Sequence, residues 1–237
     1  MLIKNYSDLP GKAILDYYEG TIVEELLVLD EFGPGVEMPI DAYFRDFDEM
    51  PELERTAMQM CYGKVLDIGA GAGSHVLYLQ EHGVKATALE ISPTACEIMK
   101  KRGVESIIQQ DIFEFSGQKF DTLLLLMNGI GLCADMDGLT RFLEHAKTLL
   151  NPKGQLLFDS CNVNYMYEEV DKPKERYYGE IRYKYRYGNV ETDWFQWLYI
   201  DIFTLEKHAK ALGWKIEVIE EDENDQYLVK LTLSDKK

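Results

Sequence analysis

Val65-Leu66-Asp67-Ile68-Gly69-Ala70-Gly71-Ala72-Gly73-Ser74 is the stretch on which the reading of this sequence turns. A short apolar run ends in alternating glycines, and Ser74 to Gln80 then takes helical character through Val76, Leu77 and Leu79. Glycine lets the backbone turn tightly and lets a ligand approach with no Cβ in the way. Strand, glycine loop and helix in that order make a ligand cradle. Dinucleotide sites share the arrangement, but their Gly-x-Gly-x-x-Gly fingerprint, counted from Gly69, would place its third glycine at Ser74. The spacing here is Gly-x-Gly-x-Gly.

Downstream the pattern repeats. Lys85 to Glu90 reads as a second strand, followed by Ser92 as N-cap, Pro93 as first helical residue, and Lys100, Lys101 and Arg102 in a last turn closed by Gly103. Val104 to Gln109 gives a third strand. Phe120 to Met127 gives a fourth that is apolar throughout after Asp121, as suits a parallel strand buried on both faces. An amphipathic helix over Leu139 to Leu150, closed by Asn151-Pro152-Lys153-Gly154, leads to a fifth strand at Gln155 to Asp159. Strands alternating with helices predict a doubly wound α/β fold with a parallel sheet. Near the C-terminus, Thr204 is read as the cap of a helix running through Leu212. Two strands follow, Trp214 to Ile219 and Tyr227 to Leu233, across a polar turn at Asp222 to Asp225. Pro51 to Cys61 reads as a helix leading into the first strand, whereas Gly11 to Met50 mixes ambiguous segments with a Gly33-Pro34-Gly35 loop and yields no assignment.

The 237 residues suit one large α/β core with an appendage. No apolar run approaches bilayer length and the first ten residues lack a signal-peptide core, so a cytoplasmic protein off the membrane is expected. Four well-separated cysteines (Cys61, Cys96, Cys133, Cys161) show no metal-ligand spacing, and neither disulfides nor a metal are expected. The formal charge of −17 repels phosphate backbones, which disfavours nucleic-acid partners and suits a small molecule or a neutral-to-cationic group.

Three carboxylates fall at the carboxyl ends of successive strands: Asp67 before the glycine loop, Glu90 about twenty residues later where a ribose diol is held, and Asp111 after the third strand. Taken singly, each is as readily a surface or capping residue. Jointly, on the rim where open α/β sheets bind ligands, they mark a nucleoside site.

With these residues in view, the chain resembles the class I S-adenosylmethionine-dependent methyltransferases. Val65 to Gly73, Leu89-Glu90, Asp111-Ile112, Phe120-Asp121 to Asn128, and Leu149 to Gly154 look like five successive motifs of that family over roughly residues 60 to 160. The closing helix and hairpin look like the antiparallel end of its seven-stranded, Rossmann-like sheet. The resemblance implies S-adenosylmethionine as cofactor. Gly69, Ala70, Gly71 and Gly73 would pack against its methionine part and ribose, and Asp67 would hold its α-amino group. Glu90 with Ile91 would take the ribose, and Asp111 with Ile112 the adenine. Asn128 and Gly129 would lie where the family places cofactor and substrate contacts. The segment Asn128-Gly129-Ile130-Gly131 departs from the Asn/Asp-Pro-Pro-aromatic motif of enzymes that methylate nucleic-acid amino groups, which argues against a base-methylating activity.

No catalytic residue is assigned, because displacement at a sulfonium methyl can proceed largely by alignment. His75 either faces the cofactor or has a local structural role; Tyr43 and Arg45 either fold over the cofactor or simply pack. The domain is expected over residues 61–237, with residues 1–60 an extension packing on or covering the cofactor site. Within an insertion at 161–203, Ile181 to Tyr187 alternates strictly and Gly188-Asn189 is a favoured hairpin turn. That turn sets Arg186 opposite Glu191 and Lys184 opposite Asp193, with Tyr183, Tyr185, Tyr187 and Trp194 on the other face. This aromatic hairpin, with Trp197 or Tyr199, either walls the acceptor pocket or covers a sheet edge or dimer contact. A wall of this kind suits a planar or cationic acceptor. A non-catalytic S-adenosylmethionine-binding module, and less readily a nicotinamide-dependent oxidoreductase, remain open at this point.

Overall fold

The computed structural model describes residues 8–21 and 24–234. In chain order its elements are α1 (Leu9–Tyr18), β1 (Leu26–Asp30), β2 (Val36–Glu37), α2 (Glu52–Met60), β3 (Lys64–Ile68), α3 (Ser74–Glu81), β4 (Lys85–Glu90), α4 (Pro93–Arg102) and β5 (Ile107–Gln109). There follow β6 (Phe120–Leu125), α5 (Met136–Leu149), β7 (Leu150–Cys161), β8 (Glu180–Tyr187), β9 (Val190–Glu191), β10 (Phe195–Leu198), α6 (Ile202–Ala211), β11 (Trp214–Glu221) and β12 (Gln226–Leu233).

Seven strands form the main sheet in the order β11-β12-β7-β6-β3-β4-β5. Its central pairings are parallel, and β12 runs antiparallel to both β7 and β11. The apolar run of β6 explains why helices cover both faces. Leu123 and Leu125 pack on one side with Phe142 of α5 and Leu205 of α6, while Leu124 packs on the other with Leu53 and Ala57 of α2 and Leu79 of α3. Reversal of strand order between β3 and β6 opens the crevice at their carboxyl ends, where such sheets bind ligands.

Several boundaries differ from the sequence reading for local reasons. Helix α5 starts at Met136 because Asp135 caps it, accepting from the Gly138 N–H at 2.7 Å. Helix α6 is capped by Asp201, whose carboxylate accepts from both the backbone N–H and the hydroxyl of Thr204. Thr204, expected to be the cap, is therefore the residue being capped. The third strand begins only at Ile107, and β7 already includes the Asn151 to Gly154 segment, with an irregular register against β6.

The insertion does not extend the seven-stranded sheet. It joins the N-terminal segment in a second sheet of order β10-β8-β1-β2, in which β1 pairs antiparallel with β8 from Leu26↔Tyr187 to Asp30↔Tyr183. Residues left unassigned by local patterning thus find their partners about 150 positions away, where no local signal reaches. The expected hairpin forms around Gly188-Asn189 with Arg186 opposite Glu191, but β9 ends there, so Lys184 and Asp193 are not paired. Lys184 bonds Glu191 instead. Trp194 lies on the charged face, with the Arg182 and Lys184 cations over its ring at 5.6 and 5.3 Å, rather than among the tyrosines. Its place there is taken by Phe195, whose ring lies 5.0 Å from that of Tyr185. A cluster including Leu9, Ala13, Ile14, Leu26 and Tyr187 fastens α1 and this second sheet to Ala72 and Ile98 of the main domain.

Among the described residues no helix is long and apolar enough to cross a membrane.

Candidate active site

The glycine loop follows β3 directly. Gly69 and Ala70 donate their N–H groups to the Leu89 carbonyl of β4, at 2.8 and 3.3 Å, which anchors the loop on the neighbouring strand. Gly71 has φ +55°, and a Cβ there would lie 2.8 Å from the Tyr43 ring. Gly73, at φ +86°, meets Met99 and Val104 instead: it is a packing glycine under α3 and α4 and does not line the crevice.

Glu90 accepts three backbone N–H groups, from Gly71 at 2.9 Å, Ile91 at 2.8 Å and Ser92 at 2.9 Å. Burial pushes its carboxyl up from the ordinary range, and those three donors oppose the shift. Asp111 accepts from the Phe113 N–H at 2.9 Å, which fixes the turn after β5. Asp67 is only 1% exposed, and its Oδ2 has no hydrogen-bond partner. Burial pushes its carboxyl up to about 6, with the His75 charge pulling down and Glu54 pushing up. Met127, Asn128 and Ala134 all have positive φ, so the chain after β6 is held in a conformation that non-glycine residues rarely adopt. The Asn128 N–H donates to both Asp159 oxygens at 3.0 and 2.9 Å, and its side-chain oxygen is buried without a partner.

A cavity of about 980 Å³ brings these parts together. Asp67, Gly69, Ala70, Gly71, Glu90, Ile91, Asp111 and Ile112 all line it; Asn128 does not, although Met127 and Gly129 on either side do. The N-terminal segment and the second sheet, together forming a cap on this crevice, contribute Ile14 of α1, Tyr43, Tyr185 of β8, and Phe195 and Trp197 of β10. Trp197 packs so closely on Gly131 that a Cβ there would be 1.9 Å from the indole nitrogen, which sets the indole over the segment following β6. Tyr199 turns away, its hydroxyl 3.4 Å from that of Tyr183.

Beneath the loop lies a buried polar row. Arg45 Nη2 is 2.8 Å from Glu54 Oε1, Glu54 Oε2 is 3.0 Å from His75 Nε2, and His75 Nδ1 is 3.9 Å from Asp67 Oδ2. Burial works to lower the His75 pKa, but the Glu54 hydrogen bond and the charges of Asp67 and Glu54 outweigh it and raise it. For Glu54 burial raises, and His75 with Arg45 more than reverses this. His75 thus both lines the cavity and belongs to a structural ion pair. Glu54 was missed in the sequence; the available signal was a glutamate on the buried stripe of α2, beside Leu53, Ala57 and Met58. Asp159, at the end of the apolar run of β7, was missed too.

A ligand rich in donors fits these residues: an orphaned buried carboxylate oxygen at Asp67, open space where a Gly69 Cβ would stand, and acidic groups at Glu90 and Asp111 on one rim. Among the described residues no cluster of His, Cys, Asp or Glu is disposed to hold a metal ion. A family model for a methyltransferase domain matches residues 65–154. The crystal structure of an S-adenosylmethionine-dependent methyltransferase from Bacteroides fragilis, in complex with S-adenosylhomocysteine, shares 38% identity with this chain. The match has TM-score 0.89 and covers 99% of this chain and 98% of that one. The chain belongs to the class I S-adenosylmethionine-dependent methyltransferases. The methyltransferase also shares its fold with the CcbJ methyltransferase of Streptomyces caelestis, at 13% identity and TM-score 0.62 over 82% of this chain and 98% of that one. The PH0226 protein of Pyrococcus horikoshii OT3 matches at 18% identity and TM-score 0.59 over 77% and 88%. At those identities the likeness concerns the fold alone. No curated protein matches the methyltransferase.

Proposed function

We propose that this methyltransferase acts on a small molecule that presents a planar or cationic group to the aromatic wall of the cap. The observation that carries the reading is the shared cavity: the glycine-loop rim and the aromatic face of the second sheet line one continuous space. When bound, S-adenosylmethionine supplies a methyl carbon whose bond to sulfur breaks as the acceptor's lone pair attacks, leaving a neutral sulfide.

The chain's own residues bind and orient. The Asp67 carboxylate, which lines the cavity, takes the cofactor's α-ammonium, and Gly69, Ala70 and Gly71 leave room for its methionine part. Glu90 with Ile91 takes the ribose, accepting from its hydroxyls beside the three backbone donors, and Asp111 with Ile112 takes the adenine. Asn128 acts at second hand, by holding the turn that presents Met127 and Gly129. Gly73 keeps its packing role. Tyr43, Tyr185, Phe195 and Trp197 exclude water and present aromatic faces, which attract cations and stack on planar groups. The net charge of −17 supports a cationic or neutral acceptor over a nucleic acid, and the four free thiols support a reducing, cytoplasmic setting.

The test is transfer from methyl-labelled S-adenosylmethionine to parallel panels of small aromatic and amine acceptors, DNA and RNA. Label in a small acceptor, transferred more slowly by Trp197→Ala, is the expected result. Label entering only nucleic acid would overturn the acceptor assignment and leave the cofactor assignment standing.

A further inference from the structure

We propose that His75, clamped by Glu54 and Arg45, is a positioning residue that holds Asp67 as the anion receiving the cofactor's α-ammonium group. This deepens the proposed function and rests on its assignment of Asp67.

The geometry is a row of alternating charge that crosses four segments: Arg45 on the chain before α2, Glu54 on α2, His75 on α3 and Asp67 on β3. Both Glu54 oxygens are engaged, one by the guanidinium and one by the imidazole. The bond between Nε2 and the Glu54 carboxylate favours the imidazolium, and Nδ1 faces the Asp67 oxygen that has no hydrogen-bond partner. At 3.9 Å the contact is too long for a hydrogen bond but remains a strong Coulomb attraction at a buried site. Two cations and two anions then balance, and Asp67 retains an oxygen for a cationic ligand.

The other ionisable groups facing the row sharpen the argument. Asp159 of β7 feels both Glu54 and His75, and burial pushes its carboxyl up to about 7. The Cys61 thiol feels the Asp67 charge and is pushed up to about 12, first by burial and then by that carboxylate, so it carries no charge at neutral pH. Without the imidazolium, Asp67 would face the Glu54 carboxylate with no adjacent cation. It would then hold its proton to higher pH, and a carboxylic acid attracts an ammonium poorly. A residue that merely ties α2 to α3 would have no such consequence for the pH dependence of binding.

The experiment is calorimetric titration of wild type, His75→Gln and Asp67→Asn with S-adenosylmethionine from about pH 5.5 to about pH 9. Binding requires ionised Asp67 and a protonated cofactor amine, so affinity rises with pH through the Asp67 titration and falls for wild type and variant alike above about pH 8, where the amine loses its proton. Removing His75 moves that rise to higher pH. The expected result is His75→Gln binding about tenfold more weakly near pH 7 and recovering to within about twofold of wild type near pH 9. A variant profile parallel to wild type at every pH would overturn the inference. Undiminished binding by Asp67→Asn would overturn the Asp67 assignment beneath it.

Should His75→Gln not fold, nitrogen-15 imidazole spectra of the wild type give the same answer. A protonated His75 at neutral pH without cofactor supports the relay, and a neutral ring contradicts it.

Discussion

The rim of the seven-stranded sheet and the cap above it secure their side chains by different means. On the rim, each ligand-facing residue sits within a few positions of the end of a parallel strand, and its contacts come from that strand end and the adjoining loops. Glu90 is held by the N–H groups of Gly71, Ile91 and Ser92, and Asp111 by that of Phe113. The cap is built from chain ends distant in sequence: β1 borrows its pairing from β8, α1 reaches Tyr187 through Asp16, and Trp197 rests on Gly131. A locally held rim can keep one cofactor geometry while a cap held by tertiary contacts varies with the acceptor.

Three substitutions sharpen or break that division. The largest effect belongs to Trp197→Ala, which removes the indole from the acceptor side. Acceptor kcat/KM should fall about thirtyfold, or about 2 kcal/mol, with cofactor Kd changed by less than about threefold. Steady-state kinetics beside calorimetry decide it, and an equal loss of cofactor affinity would erase the boundary between cap and rim.

Gly71→Ala strikes where the two regions touch. The new Cβ would stand 2.8 Å from the Tyr43 ring on a backbone at φ +55°, so a loss of about 1–3 kcal/mol in stability is expected from thermal or denaturant unfolding. Adding Tyr43→Ala should return part of it, because the clash term vanishes while the backbone strain stays. Strict additivity would mean that the two residues do not meet.

The smallest effect belongs to Tyr187→Phe. Its hydroxyl bonds Asp16 at 2.9 Å, tying the insertion to α1. Losing this should cost about 1 kcal/mol, or roughly 2–4 °C in Tm for a chain of this size, with cofactor affinity unaltered. A shift in cofactor Kd as large as that in stability would show that the cap shapes the rim.

The same contrast explains what could be read from the sequence. The run from Val65 to Ser74, the Ser92-Pro93 cap and the Gly103 stop all announce themselves within a few residues, and the main sheet follows from their alternation. The rim carboxylates inherit that clarity because strand ends place them. Residues 26–37 carry one turn signal, Gly33-Pro34-Gly35, but the long edge that β1 shares with β8 has no local mark, and the Lys184 partner was misplaced because β9 stops two residues after its turn. Glu54 escaped notice because helix periodicity marks it as a misplaced charge, and only the fold brings Arg45 and His75 to it.

The most direct test of the account is calorimetric titration of the purified protein with S-adenosylmethionine and S-adenosylhomocysteine, beside the double variant Glu90→Ala, Asp111→Ala and with NADH as competitor. The account predicts roughly micromolar binding of both, weakened about a hundredfold or more in the variant through loss of two carboxylate hydrogen-bonding sites. Absence of binding, displacement by NADH, or a double variant that binds as tightly as wild type would contradict it.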